Sequence, residues 1–417
     1  MAKKRFFSAM RDTTRREIEQ LEQVDIVVGI PCYFSEASVT HVIRMAAAGL
    51  HRYFGGMRAL ILASDGGSTD DTRETIEKIA LNYPNVHKIS SIYRGIPGKG
   101  SAMREILEAG VFLKAKAILF FDSDLKSINP EWVQNLAGPL FSGYDFVAPQ
   151  YRRYKFDGTI TNTIVYNLTR ALFGARIRQP IGGDFAVSRT LAKHYLDQDV
   201  WETDVARFGI DIWMTITAVT GGFLACQARL GAKVHGEKDP ASDLSGMFRE
   251  VVGTVFQLME EHETFWKREH PEIEIPSFGN FVGVEVRPFE IDEAALIEYF
   301  KVGYQNFAGV WERIIGPEDF AAVKQLAESD CCPLRLPDEA WVRIVYDYAC
   351  ALRATPVQRF KLLSTMVPLY YGRVASLVHA LKDRDGDGAE AFFEEQASLF
   401  EKMKPYLIEK WEKGGTS

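Results

Sequence analysis

The stretch AILFFDSD, residues 117–124, decides the fold class and indicates where a site lies. Its four consecutive bulky apolar residues, 118–121, predict a strand that is buried on both faces. The strand ends in two acids one residue apart, Asp122 and Asp124, which would be costly to bury without partners. A divalent cation removes that cost, because oxygen ligands suit Mg²⁺ and Mn²⁺. The alternative is a polar strand end or a helix cap.

Buried strands alternate with helices along the first third of the chain. Strands are predicted at 25–30 (where Pro31 would stop the strand), 57–63, 85–90 and 117–121, and helices at 37–51, 69–81 (with Ser68 or Thr69 as N-cap) and 100–114. This alternation predicts a mostly parallel α/β sheet, in which ligands collect at the carboxyl ends of the strands. Pro31, Asp65 and Asp122 all stand at those predicted ends.

The pattern changes near residue 248, where long helical periodicities replace the strands. Helices are predicted at 247–267, 293–315, 317–328, 337–354 and 356–381. We therefore predict an N-terminal helix at 1–24, an α/β domain at 25–260 and an all-helical domain at 261–417. The helical domain is expected to assist self-association as a homodimer.

Length and composition exclude several classes of protein. The 417 residues are enough for two domains, and the net charge of −7 argues against a nucleic-acid partner. Five cysteines without a Cys-x-x-Cys motif predict neither a disulfide framework nor a cysteine zinc site, and favour a reduced, cytoplasmic setting. No apolar run reaches about 18 residues, so no membrane span is predicted. The N-terminus lacks the apolar core of a secretory signal.

Two loops combine glycines with charged residues. SDGGSTDD, residues 64–71, is either a tight strand-to-helix turn or a loop in which Asp65 contacts a base or ribose. RGIPGKGSAM, residues 94–103, enters a helix and carries Lys99. Backbone amides at a helix N-terminus together with a lysine suit a phosphate, although the loop is not a Walker A motif. A surface loop with solvated charges is the alternative.

Later segments add a glycine pair, two acids and a histidine. In RQPIGGDFAVSR, residues 178–189, the glycines would admit a sugar ring and Asp184 would bind its hydroxyls, unless the motif is a β-turn. Asp211 begins an apolar helix, either as a cap worth about 1 kcal/mol or as a carboxylate that stabilises positive charge at a sugar carbon. His235 follows a short strand and is either solvated or a third metal ligand.

In this order, the motifs PGKG (97–100), DSD (122–124), QPIGGDF (179–185), FGIDI (208–212) and AKVH (232–235) resemble those of GT-A glycosyltransferases. More narrowly, they resemble the retaining enzymes that make mannosylglycerate and glucosyl-3-phosphoglycerate, over residues 25–270. The resemblance implies a Rossmann-like GT-A fold and a Mg²⁺ or Mn²⁺ cofactor. It also implies transfer of glucose or mannose from UDP-glucose, GDP-glucose or GDP-mannose to the 2-hydroxyl of D-glycerate or 3-phosphoglycerate.

The resemblance further implies roles for individual residues. The nucleotide would be bound by Pro31, Cys32, Tyr33, Asp65, Lys99 and Asp122. The metal would be held by Asp124 and His235, with Asp122 close to the metal or the ribose. The donor sugar would be surrounded by Gly182, Gly183, Asp184 and Asp211, the two acids being catalytic. The acceptor would be received by Arg152, Gly158, Thr159 and Thr161 in the loop RRYKFDGTITN, residues 152–162.

The chain departs from the family pattern in two places. Ser35 replaces an acid that often follows the first proline, which leaves a base contact by Glu36 in question. Thr159 stands where the phosphoglycerate enzymes carry an arginine for the acceptor phosphate. This favours an unphosphorylated acid such as D-glycerate, unless Arg152 or Lys155 compensates.

Two other functions remain open at this level. One is an inverting or polyprenyl-phosphate-directed transferase of the same fold, against which the absence of Gln-x-x-Arg-Trp and of membrane spans argues. The other is a nucleotide-binding regulatory protein with a dead active site. Asp383, Asp385, Asp387 and Glu394 separately match the spacing of an EF-hand calcium loop. The alternative for that segment is a polar turn with acids at a helix start.

Overall fold

The structure, a computed structural model, describes residues 7–234, 240–268 (side chains from 244), 275–281, 286, 288–329 and 334–414. The chain forms two compact units. The sheet unit comprises Met1–Arg152, Ile177–Glu237 and Ile275–Val286, and the helical unit comprises Arg153–Arg176, Lys238–Glu274 and Arg287–Ser417. This division differs from the predicted boundary at residue 260, because residues 153–176 and 238–260 belong to the helical unit.

Among the described residues of the sheet unit, eight strands form one sheet. They are β1 (Ile26–Cys32), β2 (Ala59–Asp65), β3 (Val86–Ile92), β4 (Ala117–Phe120), β5 (Phe146–Arg152), β6 (Ala186–Ser188), β7 (Ala225–Ala232) and β8 (Ser277–Phe278). Their order is β3-β2-β1-β4-β6-β5-β7-β8, and only β6 runs antiparallel to its neighbours. The predicted mostly parallel α/β sheet, followed by a helical region, is confirmed.

Most of the helices for which a range was predicted lie close to it. In chain order they are α1 (Asp12–Glu19), α2 (Val39–Phe54), α3 (Thr72–Lys78), α4 (Lys99–Phe112), α5 (Pro130–Phe141), α6 (Tyr166–Phe173), α7 (Arg189–Leu196), α8 (Ile210–Thr220), α9 (Pro240–Glu261), α10 (Glu263–Trp266), α11 (Glu293–Ile314), α12 (Pro317–Glu328), α13 (Asp338–Ala354), α14 (Arg359–Leu381), α15 (Gly386–Lys402) and α16 (Lys404–Lys413). Helix α9 begins seven residues early, and no range was predicted for α5, α6, α7, α15 or α16. None of the described helices is long and apolar enough to cross a membrane.

The apolar runs that predicted β1, β2 and β4 form the centre of the sheet. All seven residues of β2 and all four of β4 are buried, as expected for parallel strands covered on both faces. Helices α2 and α5 pack one face, where Val42, Ile43 and Trp132 join the core cluster. This core fixes the strand ends on which the site is built.

Pro31 does not stop β1, which corrects that prediction. The strand continues to Cys32, and Pro31 pairs in register with Ser64 of β2. The carbonyl of Gly29 accepts a hydrogen bond from the amide of Phe121, so odd-numbered residues of β1 face β4. Because β4 ends opposite Gly29, the missing amide of Pro31 faces a position with no strand partner, where proline is tolerated.

The acidic segment of the helical unit does not form a calcium loop, which corrects the calcium alternative. Helix α15 already includes Asp387 in its first turn. Asp385 caps this helix, because its side chain accepts a hydrogen bond from the amide of Gly388 at 2.8 Å. Glu394 instead pairs with Arg170 at 2.6 Å. The correction applies to Asp383, Asp385, Asp387 and Glu394.

Candidate active site

The carboxyl ends of β1, β2 and β4 lie side by side, because these strands are neighbours in the sheet. Cys32 pairs with Asp65 at the ends of β1 and β2. β4 ends at Phe120, two residues before Asp122. The structure thus brings Asp65 and Asp122 to one edge of the sheet, as the alternation of strands and helices predicted.

Residues 31–33 differ in what they present at this edge. The Cys32 thiol is buried and donates to the carbonyl of Ile30, so its side chain is unavailable to a nucleotide; this corrects any side-chain role. Burial raises the pKa of that thiol. Tyr33 is 63% exposed, and Pro31 is half-buried. Nucleotide contacts by Pro31, by Tyr33 and by the backbone of Cys32 stay predictions.

The carboxylate of Asp65 shapes the loop that follows β2. It is fully buried and accepts hydrogen bonds from the amides of Gly67 and Ser68, both at 2.8 Å, and from the Ser68 hydroxyl at 2.6 Å. Because Ser68 is used in this turn, α3 begins at Thr72 and not at the predicted cap. A contact between Asp65 and a nucleotide stays a prediction. In this structure the Asp65 oxygens stabilise the tight strand-to-helix turn, which was the alternative interpretation of this segment.

The glycines of PGKG bring the start of α4 against the segment that contains Val205 and Ala206. A Cβ on Gly98 would lie 2.6 Å from the carbonyl oxygen of Ala206, and one on Gly100 would lie 1.8 Å from that of Val205. Only glycine permits this approach. The loop therefore fixes Lys99, the first residue of α4, at the strand ends.

Five charged side chains, one from each of the five motifs, meet at this edge. We call them the charge cluster: Lys99, Asp122, Asp184, Asp211 and Lys233. Asp122 is central, with Oδ1 2.8 Å from Lys99 Nζ and Oδ2 2.7 Å from Lys233 Nζ. Lys233 also lies 2.8 Å from Asp184, and Lys99 lies 3.3 Å from Asp211. The motifs thus converge through alternating positive and negative groups.

Two members of this site were missed in the sequence. Lys233 lies in the AKVH motif, two residues before His235. Its position just after a buried strand is the one sequence feature that could have identified it as a site residue. Tyr151, near the end of β5, donates its hydroxyl to Asp184, and its ring lies beneath Lys233 with the ammonium 5.2 Å from the ring centroid. A buried tyrosine in a strand has no sequence signal that separates it from a core residue.

Asp184 positions other groups and is closed to solvent. Its side chain has no exposed surface, which corrects its predicted role as a catalytic, sugar-binding carboxylate. One oxygen accepts the backbone amide of Asp122 at 2.8 Å, and the other accepts Lys233 and Tyr151. The acid therefore fixes the backbone of the DSD motif.

The glycine pair of QPIGGDF is required by packing, and its predicted place around the donor sugar stays a prediction. A Cβ on Gly182 would lie 2.3 Å from Cγ of Pro149. Gly183 has a φ of +90°, and a Cβ there would lie 2.4 Å from Oδ2 of Asp122. The turn therefore brings its backbone against the central carboxylate of the charge cluster.

Asp211 carries the one feature of the cluster that points to a ligand. It lies in the first turn of α8 and is only 8% exposed. Its Oδ2 faces Lys99, whereas its Oδ1 is buried and has no hydrogen-bond partner among the residues that the structure describes. Buried acceptors are normally satisfied, so an incoming hydroxyl would complete this one.

The electrostatics of the cluster favour ionised Lys99 and Asp122. Burial opposes the charge of Lys99, but Asp122 and Asp211 outweigh it and raise the pKa of the ammonium. Burial also opposes ionisation of Asp122, but Lys233 and Lys99 hold its pKa well below the usual range. Burial raises the pKa of Asp211. With every group charged, three carboxylates and two ammonium groups give a formal charge of −1.

Asp124, the predicted metal ligand, is partly buried just beyond the charge cluster. The residues after it pair with Val234: the amide of Lys126 donates to the Val234 carbonyl at 2.8 Å, and the amide of Val234 donates to the Ser127 hydroxyl at 2.9 Å. His235 lies outside the described residues. Within those that are described, no three carboxylate, imidazole or thiol groups form a metal site by themselves.

The predicted acceptor residues fall in both units. Arg152 ends β5 in the sheet unit, is exposed, and stacks its guanidinium over Phe281 at 5.0 Å. Gly158 and Thr161 belong to the helical unit, where Gly158 has a φ of +69° and Thr161 begins a short, buried π-helical turn. Their contact with an acceptor stays a prediction.

The polar groups of Thr159 and Lys155 are used inside the helical unit. The Thr159 hydroxyl is buried and hydrogen-bonded to the hydroxyl of Tyr370 at 2.5 Å, which corrects its predicted contact with the acceptor. The ammonium of Lys155 donates to the carbonyls of Leu381, Lys382 and Arg384 at 2.7–2.8 Å. It therefore caps the end of α14.

Comparisons with known proteins show which sequences this chain is similar to. A family model described as "Mannosylglycerate synthase, GT domain" matches residues 21–257. Glucosyl-3-phosphoglycerate synthase of Mycobacterium tuberculosis is 28% identical over 251 residues, which cover 55% of this chain and 72% of the relative. Mannosylglycerate synthase of Rhodothermus marinus is 25% identical over 232 residues, covering 49% of this chain and 56% of the relative.

A crystal structure of the M. tuberculosis enzyme in complex with Mn²⁺, UDP-glucose and phosphoglyceric acid has 23% sequence identity to this chain. It matches with a TM-score of 0.42 over 60% of this chain and 85% of that one. The family model, by contrast, spans more than half of the present sequence and includes every member of the charge cluster. This chain therefore belongs to the glycosyltransferase family of mannosylglycerate synthase.

Proposed function

We propose that this glycosyltransferase moves glucose or mannose from a nucleotide diphosphate sugar to the 2-hydroxyl of D-glycerate, with retention at the anomeric carbon. The observation that carries the proposal is the pairing of Lys99 with Asp211, whose second oxygen is buried and unpartnered. An ammonium and a hydrogen-bond acceptor side by side suit the diphosphate and the hydroxyls of one donor. The names of the two sequence relatives support the same reaction class.

A divalent cation fits the groups at this edge. Mg²⁺ usually takes one or two carboxylates and completes its shell with substrate phosphates, so no ready-made cage is required. Asp124 and His235 would hold the ion. Asp122 is not proposed as a ligand, because both of its oxygens bind lysines. When bound, the cation would neutralise charge on the departing diphosphate.

Lys99 would supply the second positive charge to the leaving group. Its ammonium lies 2.8 Å from Asp122, but its contacts with Asp211 and with the carbonyl of Gly183 are longer, at 3.3 and 3.5 Å. A modest rotation of this side chain would direct it to a diphosphate. A preorganised charge of this kind commonly contributes about 3–4 kcal/mol to a transition state.

Asp211 would then bind the donor sugar through its unpartnered oxygen. Its negative charge would stabilise positive charge as it builds at the anomeric carbon. Among the cluster acids, Asp184 is inaccessible, Asp122 is occupied and Asp211 is proposed to bind the sugar, so none of the three is proposed as a nucleophile. This arrangement suits attack from the face that the diphosphate leaves, with a phosphate oxygen taking the proton of the acceptor hydroxyl.

The acceptor is proposed to be unphosphorylated. Thr159 is buried against Tyr370, and all three donors of Lys155 are taken by backbone carbonyls. Neither residue is therefore available to replace the arginine that the phosphoglycerate enzymes use. Arg152 remains exposed and can bind one carboxylate, which D-glycerate supplies.

The test is a matrix of donors and acceptors. UDP-glucose, GDP-glucose and GDP-mannose are each incubated with D-glycerate or 3-phosphoglycerate, with Mn²⁺ or with EDTA, and release of free nucleoside diphosphate is measured. We expect release with D-glycerate and Mn²⁺, and little with 3-phosphoglycerate. Asp124→Ala should lose the Mn²⁺-dependent part of turnover. Diphosphate binding without release in any combination would instead indicate the dead nucleotide-binding protein.

A further inference from the structure

The two lysines of the charge cluster are held very differently. Lys233 Nζ has three acceptors at short range: Asp122 at 2.7 Å, Asp184 at 2.8 Å and the carbonyl of Gly182 at 2.8 Å. An ammonium has three donors, so this one is satisfied by the protein. Its side chain is only 5% exposed. Lys233 is therefore fixed and would not reach a substrate.

Lys99 is held by fewer short contacts. It has one close acceptor, Asp122, and two at 3.3 and 3.5 Å, and its side chain is 12% exposed. If Lys99 turns to a diphosphate, Asp122 loses one of its two cations. The Asp122 side chain is 23% exposed, and a mostly buried carboxylate left with no cation is unfavourable. The freedom of Lys99 therefore depends on what else neutralises Asp122.

We propose that Lys233 is a positioning residue, the permanent counter-ion of Asp122 and Asp184, that releases Lys99 to bind the diphosphate of the donor. This inference rests on the proposed function. It assigns the two lysines of one cluster to different tasks, one internal and one directed to substrate. It also explains why Asp122 contacts a lysine through each oxygen, because one contact persists when the other is exchanged for phosphate.

Removal of Lys233 should affect the affinity for a nucleoside diphosphate and the affinity for a nucleoside differently. Without Lys233, Asp122 would compete with the diphosphate for Lys99. Binding of a nucleoside diphosphate should weaken, whereas binding of the corresponding nucleoside, which has no phosphate, should not. A purely structural role for Lys233 would weaken both to a similar degree.

The experiment measures affinity by calorimetry in EDTA, so that no divalent cation contributes. UDP and GDP are both tested on the wild-type chain, and the tighter one is paired with its nucleoside. Lys233→Met is compared with Lys193→Met, which removes an exposed lysine of the same unit. We expect Lys233→Met to weaken diphosphate binding about tenfold or more with nucleoside binding unchanged, and Lys193→Met to change neither.

Two double variants keep the test decisive if Lys233→Met does not fold. Lys233→Met/Asp184→Asn and Lys233→Met/Asp122→Asn have the same net charge as the wild type, and each removes one of the carboxylates that Lys233 neutralises. The first leaves Asp122 competing for Lys99 and should still bind the diphosphate weakly. The second removes the competitor and should return the diphosphate's contribution to within about threefold of wild type.

Equal behaviour of the two double variants would overturn the inference, as would a parallel loss of nucleoside binding in Lys233→Met. A wild-type chain that binds UDP or GDP only with Mn²⁺, and not in EDTA, would overturn the inference alone, because Lys99 would then not hold the diphosphate by itself. A chain that binds neither even with Mn²⁺ would overturn the proposed function as well. A wild-type chain that binds a diphosphate but transfers no sugar would remove the proposed function alone, because the binding comparison needs no turnover.

Discussion

The charge cluster of the sheet unit and the ion pairs around Arg170 in the helical unit contain similar groups in different states. Arg170 is 6% exposed and makes two hydrogen bonds to Glu401, one to Glu394 and one to Ser398. The charge cluster instead retains a buried, unpartnered oxygen on Asp211. Buried charge alone therefore does not mark a site; in the charge cluster the unmatched oxygen also lies on an acid that faces Lys99.

The largest expected difference between the charge cluster and the Arg170 ion pairs is the loss of turnover when Lys99 is removed. Lys99→Met removes the cation that faces both Asp122 and the proposed diphosphate. Turnover in the assay above should fall about 10²- to 10³-fold, because a preorganised charge in the transition state is lost. Lys116→Met, which removes an exposed lysine at the amino end of β4, is the matched control and should keep wild-type turnover.

A Lys99→Met enzyme with near-normal turnover would break the comparison, since the cluster would then be as structural as the Arg170 pairs. The unfolding temperature of both lysine variants is measured as a control. A turnover loss that accompanies a lowered unfolding temperature would be due to unfolding and not to the lost charge.

Glu105 is a second unmatched carboxylate of the sheet unit, and it predicts a pH dependence of stability. It is fully buried, accepts the hydroxyls of Ser64 and Ser91 at 2.5 and 2.6 Å, and has one oxygen without a partner. Burial, with a smaller contribution from Glu108, raises its pKa to about 7, although Arg11 and the two hydroxyls lower it. The folded chain thus binds this proton more tightly than the unfolded chain, where the pKa is near 4.5.

Stability should therefore fall as the pH rises from about 4.5 to about 7, by about 3 kcal/mol from this group. Glu105→Gln resembles the protonated acid and cannot lose that proton. Urea unfolding of the two proteins at several pH values should show a difference that is small near pH 4.5 and favours the variant by about 3 kcal/mol at pH 8. A difference that stays constant with pH would show that Glu105 titrates normally.

Removal of Arg170 tests the other side of the comparison. Arg170→Met should lower the free energy of unfolding by about 2 kcal/mol, less than for a fully buried pair, because Glu394 and Glu401 are 46% and 33% exposed and can be hydrated. Turnover per folded molecule should stay near wild type. The control, Lys413→Met, disrupts an exposed pair of the same unit and should cost less than about 0.5 kcal/mol.

The fold was largely predictable because its signals are local. Buried apolar runs located the first four strands to within about two residues, and helical periodicity located α11 to α14. Three-residue β6 carries no periodic signal, so its antiparallel insertion beside β4 was not predicted. The inclusion of residues 153–176 in the helical unit depends on contacts with residues far along the chain, which local patterns do not encode.

The sequence predicted where in the sheet the site lies, but not which side chains of the site contact one another. The alternation of strands and helices placed Asp122 at a strand end, and the family resemblance implied that Lys99 and Asp211 serve the same donor; the structure brings the three together. The sequence could not show that Asp184 is sealed from solvent or that Gly183 is needed for the approach of Asp122, because both follow from packing between motifs. Lys233 was missed because a lysine after a strand is usually solvated.

The smallest predicted effect concerns the acidic start of α15, where the spacing of a calcium loop serves a helix cap. Asp385→Ala removes the acceptor of the Gly388 amide and should lower the free energy of unfolding by about 1 kcal/mol, equally with Ca²⁺ and with EDTA. Asp383→Ala, which alters the calcium pattern but not the cap, should change it by less than about 0.5 kcal/mol. Titration of the full chain with Ca²⁺ should give no binding heat. The contrary result would be an unfolding temperature that rises with Ca²⁺ in the wild type but not in either variant. That result would show a calcium site in the helical unit, and the charge cluster would no longer be the single ligand site of this comparison.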